Sequence, residues 1–267
     1  MSDGVFDLVL VGGGNMGAAL LGGLLERDAA AGQEPTRVAV VDVLPERRSE
    51  LAARFPAAAV LADVPEAVGA VIAVKPGDAP AAATAAARAG ARRILSIAAG
   101  VRLATLQDAT GPGVAVIRAM PNTPALVRLG ASAIAADPAV ADGDLRWAEA
   151  VLGAVGTVDR VEESALDVFT GFAGSGPAYV FLVAEALTDA AVSEGLDREI
   201  AERVVRQLLL GAATLLDREG DPVALRAQVT SPGGTTAAGI AALESHDLRG
   251  AVAAALHAAT ERSRELG

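Results

Sequence analysis

A short run of small and polar residues in the C-terminal third of the chain has the composition of an anion site. Residues 231–236 are Ser-Pro-Gly-Gly-Thr-Thr, and the apolar segment 237–243 that follows is typical of a helix. The start of a helix has backbone N–H groups without intrahelical partners and the positive end of the helix dipole, so it favours a bound carboxylate. An ordinary Ser/Thr helix cap is the alternative. The residues predicted to hold the carboxylate are Ser231, Gly233, Gly234, Thr235 and Thr236.

A second glycine-rich run near the N-terminus is suited to a dinucleotide. It follows the apolar segment 8–11, opens a helical segment at 18–27 and has the spacing G-x-G-x-x-G. In this context Gly12 permits a tight turn, Gly14 lets a pyrophosphate approach the backbone, and Gly17 lets the helix pack closely on the strand. A glycine-rich turn without a ligand is the alternative. The predicted cofactor-binding residues of this turn are Gly12, Gly14, Asn15, Met16 and Gly17.

The end of the second predicted strand bears on the choice between NADH and NADPH. Asp42 stands where an acid accepts a hydrogen bond from the ribose 2′-OH and repels a 2′-phosphate, which favours NADH. Arg47 and Arg48 follow closely and could pair with that phosphate. The two signals conflict, so the sequence favours NADH slightly and leaves NADPH open.

Later predicted strands end in residues suited to a ligand crevice. The carboxyl ends of strands in such sheets face the ligand, which places Lys75 near the cofactor, with an exposed loop lysine as the alternative. Asn122, in Met-Pro-Asn-Thr-Pro, is expected at the nicotinamide end. The strand-end residues predicted to bind cofactor are Val74, Lys75, Pro76, Ala99 and Asn122.

The pattern of apolar residues divides the chain into two halves. Up to about residue 161, short apolar runs alternate with Ala-rich helical stretches, which indicates buried parallel strands in βαβ units. We therefore predict a Rossmann-like, doubly wound α/β domain with a parallel sheet at residues 1–161. The predicted strands are 6–11, 38–41, 70–74, 93–97, 114–117, 131–135 and 156–158, with a helix near 145–152 and a connection at Pro35.

The second half, residues 162–267, is predicted to be all-helical. Several of its helices are apolar around most of their circumference, which is more apolar surface than about a hundred residues can bury alone. We infer a dimerisation domain whose excess apolar surface is covered by a partner subunit. The predicted helices are 177–193, 198–216, 222–228, 233–243 and 248–264.

These motifs, in this order, resemble those of the pyrroline-5-carboxylate reductase family. The matching segments are 12–17, 73–76, 98–101, 118–124, Gly-Ser-Gly-Pro-Ala-Tyr at 174–179, and 229–244, and the last two are the most specific. The resemblance implies an N-terminal Rossmann-like domain and a C-terminal helical domain that interlocks with its twin. It also implies homodimers, which in the family often assemble into decamers of five dimers.

The resemblance further implies the reaction, which is NAD(P)H-dependent reduction of 1-pyrroline-5-carboxylate to L-proline, the last step of proline biosynthesis. Thr236 aligns with a family threonine that hydrogen-bonds near the ring nitrogen, and it is the expected catalytic residue. Glu163 and Glu219 fall where relatives carry acidic residues near the substrate. The pair Asp42-Val43 departs from many NADPH-using relatives, which have Arg or Ser-Arg there. That departure puts a strong NADPH preference in doubt.

Composition argues against several other classes. The net charge is −11 and aromatic residues are 3%, which argues against nucleic-acid binding. Cysteine is absent and there are two histidines, so no metal site is expected. The acidic N-terminus argues against a signal peptide, and no uncharged apolar run of membrane-spanning length is evident. We therefore expect a cytoplasmic protein that does not contact membranes.

Two rival functions remain at this stage. A 3-hydroxyacid dehydrogenase of similar build would need a lysine in the helical half as proton donor, and that half contains none. A nucleotide-sensing protein without catalysis would bind NAD(P)H but would not oxidise it in the presence of an imine.

Overall fold

The computed structural model describes residues 4–32 and 36–267. The predicted connection at Pro35 and the first three residues of the acidic N-terminus lie outside them. The chain forms two compact units. The first comprises the described residues up to Ser175 together with Ala259–Gly267, and the second is Gly176–Ala258.

An eight-stranded sheet forms the centre of the first unit. Its strand order is β3-β2-β1-β4-β5-β6-β7-β8, and every neighbouring pair is parallel except β6 and β7. The strand order reverses between β1 and β4, which is where ligands bind in open α/β sheets. The strands are β1 Phe6–Val11, β2 Val38–Val41, β3 Ala59–Leu61, β4 Ala67–Ile72, β5 Arg93–Ser96, β6 Ala115–Met120, β7 Gly130–Ala136 and β8 Gly156–Arg160.

The predicted doubly wound sheet is confirmed, with two differences. The sequence analysis missed β3, a strand of three residues in a short segment without alternating polarity. The predicted parallel sheet has one antiparallel pair, because β7 runs antiparallel to β6. The chain joins these strands through the short 3-10 turn Thr123–Val127, which lacks the helix that a parallel crossover requires.

Helices cover both faces of the sheet and bury its apolar side chains. One cluster includes Leu10, Leu20 and Leu21, and the other includes Ile72 and Ile94; all five are fully buried. The helices of this unit are α1 Asn15–Ala31, α2 Pro45–Arg54, α3 Ala79–Arg88, α4 Leu103–Thr110, α5 Asp142–Leu152 and α6 Ala165–Phe169. Because both faces are filled, the first unit has its own core.

The second unit is helical, as predicted, and it has little core of its own. Of residues 176–258, all of which the structure describes, the buried ones are Thr188, Ala201 and Val205. Large apolar side chains are exposed instead, among them Phe181 at 62% and Leu182 at 63%. The helices are α7 Gly176–Ser193, α8 Arg198–Glu219, α9 Pro222–Gln228, α10 Thr235–Ser245 and α11 Leu248–Leu266, whose last residues belong to the first unit.

One apolar helical segment is longer than the sequence predicted. Ala165–Ser193 is a continuous helical stretch that is long and apolar enough to cross a membrane by length and composition. The sequence predicted that a helix begins at Pro177. In the structure, a π-helical turn at Thr170–Gly174 connects α6 to α7, so the helical segment begins earlier. Asp167, Glu185 and Asp189 lie within it, so the expectation that no uncharged run of membrane-spanning length exists is not contradicted.

The division of the chain into compact units differs from the predicted domain boundary between residues 161 and 162. The compact units divide after Ser175 and return residues 259–267 to the first unit. The boundary at 161/162 stays a prediction about which segment carries which function.

Candidate functional site

The glycine-rich turn after β1 leaves the first turn of α1 open. Gly12 has φ +106°, and an added Cβ would lie 2.5 Å from the Ala73 carbonyl oxygen. An added Cβ at Gly17 would collide with the Gly12 carbonyl oxygen. Gly14 caps the helix without a side-chain hydrogen bond, and nothing lies within 4 Å of where its Cβ would be. Two glycines are therefore required by the backbone, and Gly14 gives a phosphate access to free N–H groups.

The first helical residues of α1 lie at this opening. Asn15 is exposed and Met16 is partly buried against the core. The structure thus brings all five predicted residues of the turn together at the carboxyl end of β1.

Asp42 is tied to the glycine-rich turn. Its Oδ2 accepts a hydrogen bond from Gly13 N at 2.9 Å, and its Oδ1 accepts one from Leu44 N at 3.0 Å. The carboxylate is thus held at the end of β2, beside the turn. This is the position from which an acid meets a ribose hydroxyl.

The two arginines behind Asp42 also bond to the backbone here. Arg47 Nε donates to the Gly13 carbonyl at 2.6 Å, and its Nη1 pairs with Glu50 at 2.7 Å. Arg48 Nη1 donates to the Asp42 carbonyl at 2.9 Å. Both guanidinium groups therefore lie beside the turn, although each already has acceptors.

The predicted strand-end residues lie at the same edge of the sheet as the glycine-rich turn. Strands β4, β5 and β6 run in the direction of β1, so their carboxyl ends meet at that edge. Lys75 and Pro76 are exposed after β4, Val74 is partly buried, and Ala99 is exposed after β5. The edge offers one cation and otherwise small or apolar surface.

Asn122, after β6, uses its side chain for backbone hydrogen bonds. Its Oδ1 accepts from Ala131 N at 2.9 Å, and its Nδ2 donates to the Ala173 carbonyl at 3.0 Å. In a regular α-helix the Ala173 carbonyl would accept from the N–H of residue 177, but that residue is a proline and has none. The Asn122 side-chain amide supplies the missing donor. Asn122 thereby fixes the π-helical turn beside the end of β6.

Glu163 is held within the first unit by two donors. Its Oε1 accepts from Leu103 N, the first residue of α4, at 2.7 Å and from Arg118 Nη1 at 3.1 Å. Arg118 is 3% exposed, and a buried guanidinium requires such a partner. Glu163 therefore caps a helix and neutralises an arginine, and its substrate contact stays a prediction. The sequence analysis missed this pair, although an arginine within an apolar strand is a signal that a buried acid lies nearby.

The predicted carboxylate site in the second unit also has an open helix start. Gly233 has φ +70°, and Gly234 N donates to the Ser231 carbonyl at 3.0 Å, which closes the turn before α10. Gly234 caps α10 with no side-chain hydrogen bond. The first helical hydrogen bond is from Ala238 N to Gly234 O at 3.2 Å, so the preceding N–H groups are not used by the helix.

The hydroxyl groups at this turn differ in exposure. Ser231 and Thr235 are exposed, whereas Thr236 is partly buried. Glu219, the last residue of α8, is exposed in the same unit. Within residues 4–32 and 36–267, no group of three or more acidic or histidine side chains could hold a metal ion.

Comparison with known proteins gives matches over both halves of the chain. Residues 163–266 match the family described as "Pyrroline-5-carboxylate reductase dimerisation", and residues 7–100 match "NADP oxidoreductase coenzyme F420-dependent". The chain is 40% identical to the pyrroline-5-carboxylate reductase of Pseudomonas aeruginosa, with 97% of this chain and 96% of that protein covered. It is 39% identical to that of Mycobacterium tuberculosis, with 98% and 97% covered.

Solved structures give the same result for the fold. A pyrroline-5-carboxylate reductase from Coxiella burnetii superposes with a TM-score of 0.90 at 34% identity, and 99% of each chain is covered. The enzyme from Plasmodium falciparum, solved with NADP bound, superposes with a TM-score of 0.81 at 27% identity over 99% of this chain and 100% of that one.

Proposed function

The chain belongs to the pyrroline-5-carboxylate reductase family, and on that basis we propose how its two units divide the reaction. The enzyme reduces 1-pyrroline-5-carboxylate to L-proline with NAD(P)H. The first unit holds the cofactor at the carboxyl ends of β1, β4, β5 and β6. The second unit holds the imino acid at the start of α10. The observation that supports this division is the presence of two uncapped, glycine-led helix starts, one in each unit.

The start of α1 fits the pyrophosphate of a dinucleotide. Gly14 leaves open space where any other residue would place a Cβ, and the helix start offers N–H donors to the phosphate oxygens. Lys75 adds one positive charge at the same edge of the sheet in a chain with net charge −11. When bound, NAD(P)H supplies the hydride that reduces C5 of the imine.

The start of α10 fits the substrate carboxylate. The N–H groups after Gly234 are not used by the helix, and the turn from Ser231 to Gly234 adds no negative charge. Thr236 supplies a hydroxyl that would hold the ring nitrogen and manage its proton, directly or through water. Alignment of this kind can lower a barrier by about 7–11 kcal/mol, which suits a site without a strong acid or base.

The Thr236 hydroxyl is tested by its removal. We expect Thr236→Ala to lower kcat/KM for the imine by about tenfold to a hundredfold, the range for loss of a hydrogen bond to a charged group. Steady-state absorbance assays with both substrates varied measure this value. Ser245→Ala, which removes an exposed hydroxyl at the opposite end of α10, is the matched control and is expected to leave kcat/KM nearly unchanged. Unchanged kinetics in Thr236→Ala would remove this hydroxyl from the mechanism.

We propose that NADH is preferred over NADPH. Asp42 is fixed beside the turn by two backbone donors, so its carboxylate would meet the ribose 2′-position and repel a phosphate there. We expect Asp42→Ser to raise KM for NADH and lower KM for NADPH, each by about tenfold. Asp108→Asn, which removes one exposed acid from α4 in the same unit, is the control. A wild-type enzyme with a higher kcat/KM for NADPH would contradict this preference.

We further propose a cytoplasmic homodimer, with a decamer of five dimers as a second level of assembly, that does not contact membranes. The exposed apolar side chains of α7 and α8 support a helical partner, because a monomer would leave them in water. Helix α7 forms most of the long apolar segment Ala165–Ser193, and a dimer would cover its exposed side chains. Light scattering of the purified protein, together with its partition between soluble and membrane fractions, tests both statements.

A further inference from the structure

The C-terminal end of the chain packs onto the loop that carries Ala99. Residues 259–267 belong to the first unit. A Cβ added at Gly100 would lie 2.9 Å from the Leu266 carbonyl oxygen, and one added at Gly267 would lie 3.3 Å from the Gly100 Cα. The last two residues are therefore in direct contact with the loop that follows β5.

A chain of polar contacts around one buried carboxylate joins the same helix end to the same loop. Ser263 Oγ donates to Asp167 Oδ1 at 2.8 Å, and Asp167 Oδ2 pairs with Arg102 Nη1 at 3.5 Å. The Asp167 side chain is 3% exposed. Arg102 directly precedes α4 and stands two residues after Gly100. Three segments that are distant in sequence thus meet at one carboxylate.

The energetics favour a single arrangement of these contacts. A buried carboxylate is costly unless its oxygens are paired, and here each oxygen has a partner. Loss of either partner would leave part of the charge unsatisfied, so the helix end and the loop are stabilised together. Ala98 and Val101 anchor the loop in the core, and between them Ala99 and Gly100 form an irregular turn, with Gly100 at φ +76°, against which the helix end packs.

We propose that residues 259–267 act as a clamp on the cofactor loop, which we define as residues 97–102. In this clamp Ser263, Asp167 and Arg102 are positioning residues for NAD(P)H. The inference rests on the proposed contact between the cofactor and Ala99. Without the clamp the loop populates several conformations, and only one of them binds the cofactor. The apparent dissociation constant of the cofactor therefore rises as the fraction of protein in that conformation falls.

Two variants test the clamp through cofactor affinity. Ser263→Ala removes the hydroxyl donor, and Asp167→Asn removes the charge that pairs with Arg102. We expect both to raise the Kd of NADH, measured by fluorescence titration, and the KM of NADH by about three- to tenfold. The KM of pyrroline-5-carboxylate should change less than about twofold. Glu265→Gln, on the same helix end but exposed and paired with Arg262, is the matched control and should bind NADH normally.

An additional variant separates failure of the clamp from failure of the proposed cofactor site. Ala99 is exposed, so Ala99→Leu should fold and obstruct the cofactor directly. If Ala99→Leu weakens NADH binding but Ser263→Ala and Asp167→Asn do not, the clamp is overturned and the cofactor site stands. If Ala99→Leu binds NADH normally, the placement of the cofactor fails and the clamp fails with it. If the variants lower the melting temperature but leave the Kd and KM of NADH unchanged, the network has only a structural role and the clamp is overturned. If Asp167→Asn does not fold, the result for Ser263→Ala decides the question.

Discussion

The two units of this chain differ in how far they bury their apolar side chains. In the first unit, Leu10, Ile72 and their neighbours are enclosed between a sheet and its helices. In the second unit, α7 and α8 keep side chains such as Phe181, Leu182 and Leu208 more than half exposed. Burial of apolar area is the main favourable term in folding, so the second unit must obtain much of its stability from outside itself.

The two helix starts show the same difference on a smaller scale. At α1, backbone atoms stand where a Cβ of Gly12 or Gly17 would lie, so the turn is fixed by its own unit. At α10, an added Cβ at Gly234 would meet Ser231 of the same turn, but nothing lies within 4 Å of one added at Gly233 or, further along the helix, at Gly239. We therefore expect the proposed cofactor site to be complete within one chain, and the proposed substrate site to gain further contacts from a partner subunit.

The largest effect is expected from a charge on the exposed helical face. Leu182→Glu would place a carboxylate in the proposed dimer interface, where its desolvation is costly. We expect the protein to become monomeric at micromolar concentration and to lose roughly a hundredfold in activity. Size-exclusion chromatography with light scattering gives the mass.

The control is the same substitution on the first unit. Leu129→Glu changes a side chain that is 74% exposed and should preserve both mass and activity. A Leu182→Glu protein with the wild-type mass would show that this face is not an interface.

Two glycine-to-alanine substitutions come next in size. At Gly17 the new methyl group would meet the Gly12 carbonyl, so we expect a loss of about 2–3 kcal/mol in stability and weaker cofactor binding. At Gly239 the space is open, and replacing a helical glycine should add about 0.5–1 kcal/mol. Urea unfolding and NADH titration measure both. A destabilised Gly239→Ala dimer would contradict this prediction and would indicate that a partner subunit fills the space beside Gly239.

The smallest effect is expected at an exposed ion cluster of the first unit. Arg160 hydrogen-bonds Asp142 at 2.6 Å and the two oxygens of Glu149, and these bonds lower the pKa of both carboxyl groups. A lowered carboxyl pKa contributes stability above the ordinary value of about 4, and that contribution is lost as the pH falls through the folded-state pKa. Because the groups are exposed, the contribution is small.

The variant Arg160→Gln tests this pH dependence. We expect its melting temperature to be at most about 2 °C below that of the wild type at pH 7 and low salt. The difference should disappear as the pH is lowered from about 5 towards 2. A difference that grows on acidification would contradict the assigned sign.

The accuracy of the sequence analysis varied with the range of the interactions involved. Continuous apolar runs predicted β1 and β2 to the residue, because burial on both faces leaves a local pattern. β3 left no such pattern in three residues, and the direction of β7 depends on a connection whose path is not encoded in the strand itself. The π-helical turn was missed because Pro177 normally interrupts a helix, and here the distant Asn122 supplies the hydrogen bond that Pro177 cannot donate.

Local chemistry in the chain was sufficient to identify the fold class, the glycine-led helix starts and the family. These properties depend on neighbouring residues, since glycine conformations and helix starts are local, so they can be recognised without coordinates. The pairs Glu163–Arg118 and Asp167–Ser263 were decided only by folding, which joins residues 45 and 96 positions apart. An exposed acid and a buried one have the same letter in a sequence, and only the packed structure supplies the partner that makes the buried charge stable.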